Sequence, residues 1–334
     1  MRKALALARK GRGTTSPNPM VGAVIVRDGR LLGAGWHQRA GGPHAEINAF
    51  SSLADPEQAR GATLYVTLEP CSTTGRTPPC CDAIIRHGIR RVVAGCTDPN
   101  PKHAGHGFEL LRKQGIEVVQ GVCEKACREL NEAFFHWIVT GRPFVLLKLA
   151  ETLDGRIATA SGSSQWITGA AARKHVMELR LLADAVMTGA QTFRTDAPSL
   201  TARKQDGTVL KTPRRIVLTR DPERLHLPPG WETAALPSRE DWKNYLEKLG
   251  REQVTFLLLE GGGELAASAL HAGAVDKVEF HIAPKILGGR GSRPSVGGED
   301  PASIGDALKL ENVRCRKLGE DFLISGVPAE RKGS

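Results

Sequence analysis

The triplet HAE occupies positions 44 to 46, and the run EPCSTTGRTPPCC begins at Glu69. Together they hold an imidazole, a carboxylate and three thiols at spacings that suit a hydrolytic zinc centre. A zinc ion that activates water needs three protein ligands and one open position. Two thiolates and an imidazole nearly neutralise it yet leave it acidic enough to hold hydroxide near neutral pH. His44, Cys71 and Cys80 supply such a set. Glu46, two residues past His44 at the start of a predicted helix, can sit beside the metal without binding it and move protons between water and a substrate nitrogen. Zinc deaminases combine H-x-E with P-C-x-x-C, whereas here the second cysteine follows the first by nine positions. Cys81 competes with Cys80, and Cys80 is preferred because a helix starting after Pro79 presents its first turn toward the end of the preceding strand. A closed structural site would need a fourth Cys or His. Cys96 reads as core and His87 as helix surface, so an open site is expected.

The elements that must position these groups follow from periodicity and punctuation. VGAVIV (21–26) and RLLGAG (30–35) flank an Asp-Gly pair and read as a β-hairpin. A helical pattern from His44 to Leu53 precedes the strand ATLYVTL (62–68). Helix and strand then alternate through CDAIIRHGI, RRVVAG, GFELLRKQG and IEVVQG, as in a sheet covered by helices. EKACRELNEAFFHWIVT (124–140) reads as one long helix, ended by Gly141, Arg142 and Pro143. Beyond that break FVLLKLA, ADAVMTG, RRIVLT, VTFLLLEGGG and KVEFHIAPKIL read as buried strands of a second α/β unit. EGGGELAASAL (260–270) follows an apolar run and opens a helix, so its backbone N–H groups could cradle a phosphate. Its spacing is not the G-x-G-x-x-G of a Rossmann fold.

Length and composition agree with this division. At 334 residues the chain exceeds what one core usually supports, so two domains are expected, residues 1–142 and 143–328. No run approaches a membrane span, MRKALALARKGRG is too short and too charged for a secretory signal, and a cytoplasmic protein is expected. Seven cysteines, three of them between 71 and 81, favour thiolate chemistry over a disulfide framework. The net charge of +10 is spread along the chain rather than gathered in runs, which suits anionic small molecules as well as nucleic acid.

SPNPMVGAVIV, HAEINAF, EPCSTTGRTPPCCDAIIRHGIRRVVAG, DPNP, LKLAETLDGRIAT and SQWITG closely resemble the bifunctional riboflavin-biosynthesis deaminase/reductase family over nearly the whole chain. The resemblance implies a cytidine-deaminase-like three-layer α/β/α domain followed by a dihydrofolate-reductase-like α/β domain. It implies two reactions: hydrolytic loss of the 2-amino group of a phosphoribosylamino-pyrimidinone, then NADPH-dependent reduction of ribosyl to ribityl. It makes His44, Cys71 and Cys80 the zinc ligands, with one Zn2+ per chain, and Glu46 the proton shuttle. Asn18, Arg76, Asp98 and Asn100 fall at positions lining the pyrimidine and phosphate pocket, where amides read a ring edge and guanidinium suits phosphate. Family members often carry His two positions after the first cysteine, where this chain has Thr73.

In the second domain the resemblance places Ala150, Trp166, Thr192, Asp196 and Gly262 through Ser268 (Gly262, Gly263, Glu264, Leu265, Ala266, Ala267, Ser268) at NADPH positions. Lys148, Ser164, Arg180, Leu200, Arg203 and Glu260 fall at substrate positions, with Arg180 and Arg203 read as clamps on the substrate phosphate. Asp196 is expected to position substrate or handle its proton, and Thr219 or Arg220 to meet the extra phosphate of NADPH. The expected partner is a small phosphoribosyl pyrimidine, with no nucleic acid and no membrane, and a homo-oligomer is expected. The alternatives are a tRNA-type nucleic-acid deaminase with an accessory domain, and a chain in which one domain has lost its chemistry. The long cysteine loop and the whole second domain favour the bifunctional reading over the first.

Overall fold

In the computed structural model, which describes residues 1–73, 78–101 and 103–329, α1 (Arg2–Ala8) leads into the hairpin of β1 (Gly22–Arg27) and β2 (Arg30–Trp36). Asp28 and Gly29 turn it with φ of 52° and 74°, the paired positive φ that two-residue hairpins favour. There follow α2 (Ala45–Ser51), β3 (Thr63–Leu68), α3 (Cys80–Arg86), β4 (Arg91–Cys96), α4 (His106–Lys113), β5 (Glu117–Val119), α5 (Glu124–Leu130) and α6 (Glu132–Thr140). The chain divides into two compact units, Met1–Gly141 and Arg142–Ser334.

The first unit is built on a five-stranded sheet in the order β2-β1-β3-β4-β5. Its β1 runs antiparallel to both neighbours, while β3, β4 and β5 are parallel. Ala23, Ile25, Leu64, Val66, Val92 and Ala94 on one face pack against α2, α3 and α4 through Phe50, Ile84, Phe108 and Leu111. On the other face α1 and α5 come so close that a Cβ on Gly22 or Gly95 would collide with Ala4 or Cys127. The 124–140 stretch is two helices and not one. The chain breaks at Asn131, whose buried side chain accepts from Met20 N (2.7 Å) and donates to Met20 O (2.9 Å). This remote pair of bonds competes with the helix, as short amide side chains do.

The second unit contains β6 (Phe144–Thr152), β7 (Arg156–Ala158), α7 (Ala170–Leu182), β8 (Ala185–Gly189), α8 (Ala190–Asp196), β9 (Ala202–Arg203), β10 (Val209–Lys211), β11 (Arg214–Leu218), β12 (Trp231–Ala234), α9 (Arg239–Arg251), β13 (Phe256–Glu260), α10 (Gly263–His271), β14 (Lys277–Ala283), β15 (Arg293–Pro294), β16 (Leu310–Leu318) and β17 (Asp321–Pro328). Its eight-stranded sheet has the order β12-β11-β8-β13-β6-β14-β17-β16, parallel from β12 to β14 and antiparallel at β17 and β16. Strand side chains alternate between faces. Val145, Leu147 and Leu149 therefore join the core under α9 and α10 with Trp242, Leu246, Leu265 and Ala269, while Leu146, Lys148 and Ala150 face the other way. No helix among the described residues is long and apolar enough to cross a membrane.

Candidate active sites

In the first unit, the loop after β2 delivers His44 as the N-cap residue of α2, and Glu46 lies in that helix's first turn, buried. Gly35 lets α2 lie against β2, because any Cβ there would meet the backbone of Ala45 and Ala49. Cys71 follows the end of β3, and Cys80 is the first residue of α3, with Pro79 at its N-cap. The three side chains converge: His44 Nδ1 is 3.3 Å from Cys80 Sγ and 3.6 Å from Cys71 Sγ, and Cys80 N donates to Cys71 Sγ at 3.3 Å. A hydrogen bond from Cys80 holds the Cys71 thiol well below its ordinary pKa, and the same bond together with burial pushes Cys80 up. Burial, with the Cys71 charge second, raises the Glu46 carboxyl to about 7. Cys81 is not part of this set; its Sγ turns to the carbonyls of Pro70 and Gly107. Cys96 is core and bonds to Thr67 O, and His87 stacks on Phe50. One imidazole and two soft thiolates, with Glu46 buried beside them, are a donor set suited to catalytic zinc.

Around this centre the structure adds two residues that the motif reading missed. His37 is buried and neutral-leaning, because burial lowers its pKa. Its Nδ1 lies 3.0 Å from Pro43 O and its Nε2 lies 3.2 Å from Asn18 Nδ2. With Pro43 O as acceptor and the Asn18 amide nitrogen as donor, Nδ1 carries the proton and Nε2 accepts. Glu69 is the second. Its carboxylate accepts from Asp98 N (3.1 Å), Gly105 N (3.0 Å) and Gly107 N (2.9 Å), clamping the Asp98–Gly107 segment to the strand end that leads into Cys71. Asp98 Oδ1 in turn accepts from Asn100 N at 2.9 Å, and burial raises the Asp98 pKa. Thr73 Oγ1 faces His103 Nδ1 at 3.3 Å, so an imidazole from the clamped segment reaches the position that Thr73 leaves without one. Arg76 lies outside the described residues. Sequence alone gave no sign of His37, which sits in no motif; Glu69 stands in the EPC run, but its three backbone partners are at least 29 residues away.

A cleft of about 1590 Å3 opens in the second unit at the C-terminal ends of β6, β8, β11 and β13, where open α/β sheets place their ligands. Lys148, Ala150, Thr219 and Glu260 reach it from strands or strand ends, Ser164 and Trp166 from the loop before α7, and Arg180 from α7. Thr192, Asp196 and Leu200 line the wall beyond β8, and burial raises the Asp196 pKa. Gly262 to Leu265, Ala267 and Ser268 form the edge at the start of α10; Ala266 turns into the core, and the Ser268 hydroxyl accepts from Trp242 Nε1. Arg203 is not brought to this wall: it is exposed, and its Nε donates to Thr201 Oγ1 at 2.7 Å. Nor is Arg180 an unengaged clamp, since Nε and Nη2 form a two-point pair with the buried Glu260 at 2.7 and 2.9 Å. Sequence spacing missed Arg173, whose guanidinium lies over the exposed Trp166 ring at 4.8 Å, and Thr188, whose buried hydroxyl on the cleft wall has no hydrogen-bond partner among the described residues.

Comparison with known proteins agrees with the division into two units of different kind. Residues 1–96 match the cytidine and deoxycytidylate deaminase zinc-binding region, and residues 143–324 match the RibD C-terminal domain. The riboflavin biosynthesis protein RibD of Actinobacillus pleuropneumoniae is 42% identical over 98% of this chain and 94% of its own length. That of Aquifex aeolicus is 44% identical over 97% and 96%. Among solved structures, RibD of Acinetobacter baumannii superposes with a TM-score of 0.87 at 37% identity, covering 98% of each chain. A diaminohydroxyphosphoribosylaminopyrimidine deaminase/5-amino-6-(5-phosphoribosylamino)uracil reductase from Thermotoga maritima gives 0.85 at 38%, covering 98% and 97%. With a zinc-binding deaminase fold carrying a three-donor cluster and a reductase fold carrying a deep cleft, the chain belongs to the RibD family of bifunctional deaminase/reductases of riboflavin biosynthesis.

Proposed function

We propose that the first unit hydrolyses the 2-amino group of 2,5-diamino-6-(5-phosphoribosylamino)pyrimidin-4-one and that the second reduces the ribosyl group of the product to ribityl with NADPH. The observation that carries the first half is the convergence of His44, Cys71 and Cys80 beside the buried Glu46 carboxyl. Zinc held by those three groups would make a water acidic enough to ionise near neutral pH. Glu46, buried beside the cluster, takes a proton from water and returns it to the departing amino nitrogen. The Asn18 carbonyl oxygen and Asp98 read the donor edge of the ring, Asn100 holds the turn beside them, and Arg76 meets the phosphate.

In the second unit NADPH supplies the hydride. The N–H groups at the start of α10 and the unpartnered Thr188 hydroxyl favour a dinucleotide along that edge. Trp166 offers a flat apolar face at the mouth. Arg220 lines the cleft just past β11, and Thr219 Oγ1 already accepts from Asp221 N, so Arg220 is the group proposed to meet the 2′-phosphate. Replacing Arg220 with Ala is expected to bring kcat/KM for NADPH toward that for NADH; an unchanged preference would remove Arg220 from this role. Lys148, Ser164 and Leu200 border the space left for the opened sugar, with Arg180 held in place by Glu260.

The deciding measurement couples metal analysis to ammonia release and NADPH oxidation in Glu46→Gln. Zinc is expected to stay bound, deamination to fall by about 10³-fold or more, and reduction of supplied deaminated intermediate to remain. Loss of zinc would make Glu46 a structural residue. Ammonia release from a tRNA anticodon loop by the unaltered chain would favour the nucleic-acid reading.

A further inference from the structure

Across three neighbouring strands of the second sheet, Lys148 on β6 stands between two carboxylates, Glu260 on β13 and Glu279 on β14, which are its direct register partners. Helix α7 covers this row and engages both ends. Arg180 closes a two-point pair with Glu260, and His175 Nε2 lies 2.9 Å from Glu279 Oε2. His281, two residues past Glu279, shares its face of the sheet. It is fully buried with its Nε2 3.6 Å from that same oxygen, and neither of its ring nitrogens has a hydrogen-bond partner among the described residues. One donor atom from each of His175, Glu279 and His281 lies within 4.8 Å of the others. None of the three lines the cleft assigned to substrate and dinucleotide.

We propose that His175, Glu279 and His281 form a second metal site, for a divalent transition ion of the zinc class, built from residues other than the His44, Cys71 and Cys80 cluster. Two imidazoles and a carboxylate are a common three-ligand set for zinc. Tetrahedral ligands at zinc bond lengths lie about 3.3 Å apart, and the observed 2.9 and 3.6 Å separations straddle that value. A buried polar nitrogen left without a partner is destabilising, and coordination through Nε2 would relieve one such atom of His281. Ligating histidines turn their other nitrogen toward a carboxylate; His175 Nδ1 lies 3.9 Å from Glu178 Oε2. Glu279 and Glu178 offset the charge of a dication, and Arg180 with Glu260 is already a closed pair. Lys148 is the opposing charge beside Glu279. The His175 side chain is 14% exposed, which gives the ion a way in. Without metal, the same groups would form a carboxylate shared by two imidazoles, and stoichiometry separates the two arrangements.

The test uses the full chain, treated with excess zinc chloride, dialysed exhaustively and analysed for metal by mass spectrometry. About two zinc ions per chain are expected, falling to about one in Cys71→Ser/Cys80→Ser and to about one in His281→Ala. If His281→Ala does not fold, the cysteine double variant decides alone, because that change leaves the proposed site intact. Cobalt loading of the double variant is expected to give weak visible bands without the near-ultraviolet thiolate band, and Glu279→Gln on that background should abolish them. One zinc ion in the unaltered chain and none in the double variant, or no cobalt bands there, would overturn the proposal.

Discussion

Replacing Glu69 with Gln should leave zinc content unchanged yet raise KM for deamination roughly tenfold, about 1.4 kcal/mol of lost binding. An amide keeps one acceptor oxygen where the carboxylate serves three backbone N–H groups of the Asp98–Gly107 segment. Unchanged KM would show that the segment holds its position without the clamp. His103→Ala should likewise raise KM while largely sparing kcat, since the imidazole meets the Thr73 hydroxyl within the segment that Glu69 clamps and is no member of the metal cluster; a fall in kcat alone would contradict this. In the second unit Glu260→Gln would leave Arg180 buried opposite a neutral amide. Breaking a buried pair from one side costs about 3–5 kcal/mol, to be read as a lowered urea midpoint. At this scale the convergence of His44, Cys71 and Cys80 was legible because a metal-ligand set is written in residue type and spacing. Arg180 was legible only as a charge: its partner lies 80 residues away, so a guanidinium engaged by Glu260 read as a clamp on substrate phosphate.

Elements were legible where a local rule decides them. The Asp-Gly hairpin and the helix that begins at Cys80 are fixed by φ preference and by the prolines before it, and both stand in the structure. The 124–140 helix was misread because its break depends on Met20, more than a hundred residues earlier in the chain. A similar remote tie joins β6 to β14. Asp276 accepts from Val145 N at 2.8 Å and pairs with Arg142 at 3.1 Å, and burial nonetheless raises its pKa from 3.8 to about 6. A carboxyl whose folded pKa is raised binds more protons when folded. Its contribution to stability is therefore present at low pH and lost as pH rises from about 4 to about 6. The difference in unfolding free energy between the unaltered chain and Asp276→Asn should shift by at most about 3 kcal/mol across that window. A difference that stays flat with pH would mean that Arg142 and the Val145 N–H already stabilise the anion in full.

At the scale of the whole molecule, each unit has its own hydrophobic core, one beneath α2 to α4 and one beneath α9 and α10. Fragments 1–141 and 142–334 are accordingly expected to fold cooperatively on their own, the first retaining zinc at the cysteine cluster and the second oxidising NADPH with deaminated intermediate. A fragment that stays unfolded by near-ultraviolet circular dichroism would show that its core is incomplete alone. The division was readable from the Gly-x-Pro break and the change in punctuation around it. The cleft was not, because its walls come from strand ends and loops scattered between residues 148 and 308, which only the sheet order brings together. That order also bears on how the protein is made. The first sheet has all its strands once residue 119 is synthesised. The second sheet seats β13 between β6 and β8, both made long before it. A ribosome-bound chain can thus complete its deaminase sheet early, while the reductase sheet stays divided, with β6 unpaired on both edges and β8 on one, until residue 260 emerges. That interval is when a nascent chain of this protein most needs shielding from its neighbours.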